Sequence, residues 1–186
     1  MSDILKNTDA HSQPSFSLKN RSLRFAWTIV YVVLFRPTFR VSPCHAWRAF
    51  LLKIFGAKIG KGCHIYPGAR IWAPWNLKMG DYACIADRVI CNSMAEIEIG
   101  EKAVISQGAY LSAGTHDYTD PKFPVIAKPI KIGANAWVAA EAFVCPGVTI
   151  GEGAVVGARS VVTKDMPAWM VCAGNPCRPI KKREMR

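Results

Sequence analysis

The 186-residue sequence has no C-x-x-C pair, although it holds seven cysteines: Cys44, Cys63, Cys84, Cys91, Cys145, Cys172 and Cys177. Without that spacing, and with only four histidines, no recognisable zinc site or dithiol redox motif is present. The odd count argues against a full disulfide set and for a reducing compartment. Long apolar runs are also missing. The run from Phe25 to Phe35 falls well short of the roughly 20 residues that cross a bilayer. The stretch ahead of Asn20 is polar, so no ordinary signal peptide is expected. Acid is scarce: 13 Asp and Glu stand against 24 Lys and Arg, a net charge of +11. Such an excess suits nucleic acid, polyanionic small molecules or a membrane surface. The cations cluster only near Lys19 to Arg24, Arg36 to Arg40 and Lys181 to Arg186. No zinc-finger, RRM or basic-zipper spacing accompanies them, and nucleic acid is set aside. With 51% hydrophobic and 20% charged residues, the chain reads as one globular domain with flanking segments.

A repeat supplies the fold. Every sixth residue from Ile132 is aliphatic: Ile132, Val138, Val144, Ile150, Val156, Val162. Four positions after each stand mostly small residues, Ala136, Ala142, Val148, Ala154, Ser160 and Met166. The pattern occurs earlier as Ile59, Ile65, Ile71, Leu77, then Met79, Ile85, Cys91, Ile97, then Ile99, Ile105, Leu111, with slips of two residues at Met79 and Ile99. A period of six fits neither a lone helix nor a lone strand. It fits a triangular coil with the aliphatic residue inward and the small residue at the corner. Three hexads make one coil, so Ile132 stacks on Ile150, Val138 on Val156 and Val144 on Val162, about 4.8 Å apart in parallel ladders. Glycines after the aliphatic position, such as Gly100 and Gly151, read as tight-corner residues. The expected fold is all-β: a parallel β-helix over 57–167, an N-terminal segment over 1–56 and a C-terminal tail over 168–186. The six-phase breaks after the hexad that ends in His116 and resumes at Ile132. Residues 117–131, with Pro121, Pro124 and Pro129, therefore form an extruded loop.

The N-terminal segment should start disordered and continue as amphipathic helices. Ser42 as N-cap, Pro43 at the first position and Gly56 at the end bound a helix over 43–55. Trp47, Phe50, Leu51, Ile54 and Phe55 form its apolar face. A second helix is placed around Leu23 to Phe35. Two roles are open: covering the strand edges of the first coil, or docking on an anionic membrane through Arg24, Arg36, Arg40, Arg48 and Lys53.

The stretch 132–167, ending Val161-Val162-Thr163-Lys164-Asp165-Met166-Pro167, resembles the hexapeptide acyltransferases, as does Ala173-Gly174-Asn175-Pro176-Cys177-Arg178. Phe55-Gly56-Ala57-Lys58-Ile59-Gly60-Lys61-Gly62, Gly114-Thr115-His116-Asp117-Tyr118 and Val155-Val156-Gly157-Ala158-Arg159-Ser160 narrow the resemblance. They bring it toward the colanic acid biosynthesis acetyltransferases, beside galactoside and maltose O-acetyltransferases. It spans about residues 45–181. The resemblance implies left-handed winding, where general crossover rules give the opposite hand. It implies transfer of acetyl from acetyl-CoA to a sugar hydroxyl in exopolysaccharide or surface-polysaccharide synthesis. A homotrimer with sites between subunits is also implied, on the cytoplasmic side, with peripheral contact to the inner membrane face open. His116 is the implied base for the acceptor hydroxyl, with Glu96 or Glu98 orienting its ring. Ala140 and Ala158 flank the pantetheine arm, and related enzymes often carry Ser where Ala140 stands. Thr163, Lys164, Arg178 and Lys181 meet the nucleotide end, where cations suit phosphates. Trp137 is either a wall of the site or a structural aromatic. Asp87 and Asn92 either bind sugar hydroxyls or serve as corner turns.

Three rivals frame this reading. A zinc hydro-lyase of the gamma carbonic anhydrase type needs three converging histidines, and the repeats hold only His64 and His116. A non-catalytic scaffold leaves the histidine and C-terminal motif without a purpose. N-acylation of an amino sugar, or acetylation of a xenobiotic, stays open because one fold serves many acceptors.

Overall fold

In the computed structural model, which describes residues 9–11 and 15–185, the aliphatic hexad positions lie in short strands and point inward. The strands stack into three parallel faces of a left-handed β-helix. The first face holds Lys58–Ile59, Leu77–Met79, Ile97–Ile99, Ile130–Ile132 and Thr149–Ile150. The second begins with His64–Ile65 and passes through Cys84–Ile85, Val104–Ile105, Trp137–Val138 and Val155–Val156. The third holds Arg70–Ile71, Ile90–Asn92, Tyr110–Ser112, Phe143–Val144 and Val161–Val162. Ile132 pairs with Ile150, Val138 with Val156 and Val144 with Val162, as the period of six requires.

The two-residue slips have a simple cause. Strands alternate with period two, so a three-residue strand can send its first and third side chains inward. Leu77 and Met79, Ile97 and Ile99, and Ile130 and Ile132 are all buried in this way. Extra residues enlarge the first face without breaking the core. The corner glycines also have a different cause from the one expected. Gly100 lies outside the left-handed region, but a Cβ there would stand 2.5 Å from the Ala134 nitrogen of the next coil. Glycine is needed for coil-to-coil approach. Cys91 fills a hexad position at 0% exposure, and burial pushes its thiol up to about 12.

Two helices cover the first coil: α1, Leu18–Val30, continued by a π-helical turn at Tyr31–Phe35, and α2, Ser42–Ile54. The expected disordered start lies partly outside the described residues, and α1 begins earlier than the sequence suggested. The expected face of α2 is corrected: Leu51 is buried, but Trp47, Phe50 and Ile54 point outward and Arg48 inward. Arg48 is fully buried because the first coil leaves ladder carbonyls unpaired. It donates to the Ile65 carbonyl, the Thr38 hydroxyl and the Phe39 carbonyl. His45 Nδ1 lies 2.8 Å from the same Ile65 oxygen and 3.0 Å from Arg48 Nη2, and Trp27 Nε1 donates to Ile71 O at 2.7 Å. Side chains thus satisfy an edge that would otherwise recruit another strand.

At the other end, the expected tail is an antiparallel hairpin, Met170–Gly174 with Cys177–Lys182. Its first strand extends the second face, Val156 pairing with Cys172. A short 3-10 turn, Pro74–Asn76, also occurs within the coils, where only strands and corners were expected.

Candidate active site

The excursion from the coils is a β-hairpin, and it begins earlier than expected. Gly114–His116 pairs antiparallel with Val125–Ala127, and the coil resumes at Ile130 rather than after Lys131. The prolines flank the returning strand instead of excluding one. Gly114 stands at the exit, where a Cβ would displace the Met94 side chain one coil below. Lys128 N donates to Ala113 O at 3.0 Å and closes the base. Ala10 N donates to Lys122 O at 3.0 Å, so residues 9–11 lie against the hairpin.

His116 ends the outgoing strand and is exposed. Its Nδ1 lies 2.9 Å from Phe123 O, and its ring stacks on Phe123 at 4.3 Å and 12°. A carbonyl only accepts, so Nδ1 carries the hydrogen. The neutral ring then presents the Nε2 lone pair, the form a general base needs. Neither Glu96 nor Glu98 fills the orienting role the sequence suggested. Glu96 pairs with Lys78 at 2.8 Å, and Glu98 lies on the first face in register with Lys78 and Lys131. Phe123 was missed because a backbone carbonyl carries no residue signature.

The acceptor candidates separate. Asn92 pairs with Ser112 on the next coil, at the edge from which the His116 hairpin leaves. Asp87 lies at the preceding corner, accepts from Gly68 N at 2.7 Å and pairs with Arg40, so its carboxylate already ties the coil to the segment between the two helices. The donor candidates divide between two edges. Ala140 and Ala158 hold equivalent corner positions after Val138 and Val156, between the second and third faces. Trp137 lies on the second face, half-exposed, with Nε1 donating to Ser106 Oγ at 2.8 Å. Arg178 and Lys181 line the outer strand of the C-terminal hairpin, opposite Ala173 and Val171. Thr163 and Lys164 instead follow Val162 at the edge shared with His116. One chain therefore divides these residues across the third face.

A cleft of about 200 Å³ lies between α1 and the first coil, lined by Arg24, Trp27, Thr28, Tyr31, Arg70, Ile71 and Trp72. Arg24 stacks over Trp72 at 4.3 Å, so it faces the coil instead of a membrane. Trp72 follows Ile71 at the same edge as Asn92 and Ser112, below the hairpin. Sequence reading missed it because Arg24 and Trp72 are brought together from separate segments.

Residues 129–164 match the bacterial transferase hexapeptide (six repeats) family. The Escherichia coli K12 protein WcaF, named for acetyl transfer in colanic acid biosynthesis, is 48% identical over 157 residues. That alignment covers 84% of this chain and 85% of WcaF. The chain belongs to the hexapeptide-repeat acetyltransferases. Membership makes it an acyltransferase. Among solved structures, a maltose O-acetyltransferase from Clostridium difficile 630 superposes with a TM-score of 0.82. Its identity is 29%, with 91% of this chain and 90% of that one covered. The Vibrio cholerae acetyltransferase VCA0836, solved with acetyl coenzyme A, shares the fold at a TM-score of 0.81 and 24% identity, covering 91% of each chain. In a hexapeptide-repeat acetyltransferase, a histidine held as one tautomer on a hairpin outside the coils is suited to proton transfer.

Proposed function

We propose that this acetyltransferase moves acetyl from acetyl-CoA to a sugar hydroxyl during exopolysaccharide or surface-polysaccharide synthesis, on the cytoplasmic side of the membrane. His116 Nε2 takes the hydroxyl proton as the oxygen attacks the thioester carbonyl. The carbon–sulfur bond then breaks, and the imidazolium returns the proton to the departing thiolate. The observation that carries this reading is the Nδ1 contact to Phe123 O, which leaves Nε2 as the acceptor. The relationship to WcaF and the likeness to a maltose O-acetyltransferase support a sugar acceptor.

The divided donor set supports a homotrimer. In that assembly the Ala140 and Ala158 edge of one copy, with its Trp137, Arg178 and Lys181, faces the His116, Thr163 and Lys164 edge of the next. The donor lies between them, and Asn92 meets the acceptor below the hairpin.

Thioester consumption measured across free sugars, nucleotide sugars and lipid-linked oligosaccharides tests the acceptor class. Turnover with at least one hydroxyl acceptor, yielding an ester labile to mild base, is expected. Turnover confined to amino sugars, with a base-stable amide as product, overturns the O-acetyl reading.

A further inference from the structure

We propose that the outer sides of α1 and α2 form a docking surface for an anionic lipid bilayer. The first observation is charge placement. Residues 10–80 hold 11 of the 24 Lys and Arg and none of the 13 Asp and Glu. The other 13 cations balance the 13 acids elsewhere, so the whole net charge of +11 belongs to the stretch containing both helices.

The second observation is a helix that is apolar on opposite sides. Trp27 and Phe35 pack inward at 3% and 0% exposure. Phe25, Ile29, Val32 and Val33, spaced four, three and one apart, lie on the other side at 51–70% exposure. A helix apolar all round is normally buried. The outward side of α2 continues the surface with Trp47, Phe50 and Ile54, at spacings of three and four. The two sides join where Trp47 Nε1 donates to Leu34 O at 3.0 Å and its ring meets Phe50 at 5.8 Å. Monomer surfaces rarely expose continuous apolar patches of this kind.

Charge decides the occupant. Lys19, Arg21, Arg36 and Lys53 are exposed around the patch, and none has a carboxylate partner among the described residues. Arg21 stands one helical turn from Phe25, Arg36 one turn from Val32 and Lys53 beside Ile54. Apposing this face to its own copy would bring cations against cations. The coils offer no acidic complement, since residues 81–186 are nearly neutral. Aliphatic side chains and a tryptophan framed by lysine and arginine match acyl chains beneath anionic headgroups.

Docking would place the chemistry close to the lipid. Trp27 fastens α1 to Ile71, and the ladder rises from Ile71 through Cys91 to Leu111, beneath the His116 hairpin. Two ladder steps are about 10 Å. With the thickness of α1 added, a sugar on a lipid anchor would meet His116 about 20 Å above the docked face. This consequence rests on the acetyl-transfer reading, whereas docking itself does not.

Flotation of the full chain with phosphatidylcholine vesicles, and with equimolar phosphatidylcholine and phosphatidylglycerol, tests the surface without substrates. Binding only to the anionic vesicles, weakened by salt, is expected. The Arg36→Gln/Lys53→Gln pair should lower it roughly thirty-fold. Phe25→Ser/Val33→Ser should lower it roughly tenfold or more, and Lys102→Gln should leave it unchanged. The substituted side chains are exposed, and circular dichroism verifies the fold in each variant. Failure to float with anionic vesicles, or unchanged binding by both double variants, overturns the proposal. So does a change of mass in light scattering for Phe25→Ser/Val33→Ser with no vesicle binding by the parent, which assigns the face to contacts between copies. Acetyl transfer measured on the same preparation with a water-soluble acceptor separates failure of docking from failure of the enzyme reading.

Discussion

His45 and Arg48 are polar side chains buried where an apolar residue is the usual choice, and both serve the unpaired edge of the first coil. His45 Nδ1 contacts Ile65 O while its ring stacks on His64 at 4.9 Å. Burial lowers its pKa most, the bond to Ile65 O opposes that shift, and the nearby Arg48 guanidinium adds to it. A histidine with a depressed folded pKa contributes no penalty while neutral in both states. As pH falls below its ordinary 6.5, the unfolded chain takes up the proton first and stability is lost. Thermal unfolding should therefore shift to lower temperature as pH is reduced through that region, and His45→Gln should flatten this part of the profile. An unchanged slope in His45→Gln would remove His45 from the account. At this scale the sequence was partly readable. His116 stood out because a break in phase follows it, whereas Phe123 acts through its carbonyl, which any residue possesses. Asp87 looked like an acceptor ligand because its partners Arg40 and Gly68 are distant in the chain.

Among elements, the coils were legible almost strand by strand, since a six-residue period admits one register for each aliphatic position. The phase slips were visible as numbers but not as a longer first-face strand, because two inward residues per strand require knowing which face they occupy. The helices were located, yet the inward side of α2 was misjudged. Trp47, Phe50 and Ile54 are more apolar than Arg48, and a pattern based on hydrophobicity turns them toward the core. Ladder carbonyls at the edge of the first coil reverse that choice, because a buried unpaired carbonyl costs about 1–3 kcal/mol and an arginine can satisfy it. The C-terminal hairpin was illegible for a related reason. Its outer strand, Cys177–Lys182, is exposed after Cys177 and carries no inward alternation.

The whole molecule is a prism whose candidate base and donor residues lie on two edges that one chain does not bring together. The proposed trimer resolves this by pairing unlike edges of neighbouring copies, so light scattering at micromolar concentration should give three times the 20.5 kDa chain mass. A monomeric mass would contradict shared sites. The central claim is narrower: His116 moves a proton, and the cations hold the distant end of the donor. Initial rates and coenzyme A calorimetry on the same preparation separate these roles. Lys164→Ala and Arg178→Ala should weaken donor binding by roughly 1.5–3 kcal/mol each, with little change in kcat. His116→Ala should lower kcat by roughly 10²–10⁴-fold while coenzyme A binds as before. Near-normal turnover by His116→Ala would contradict the account.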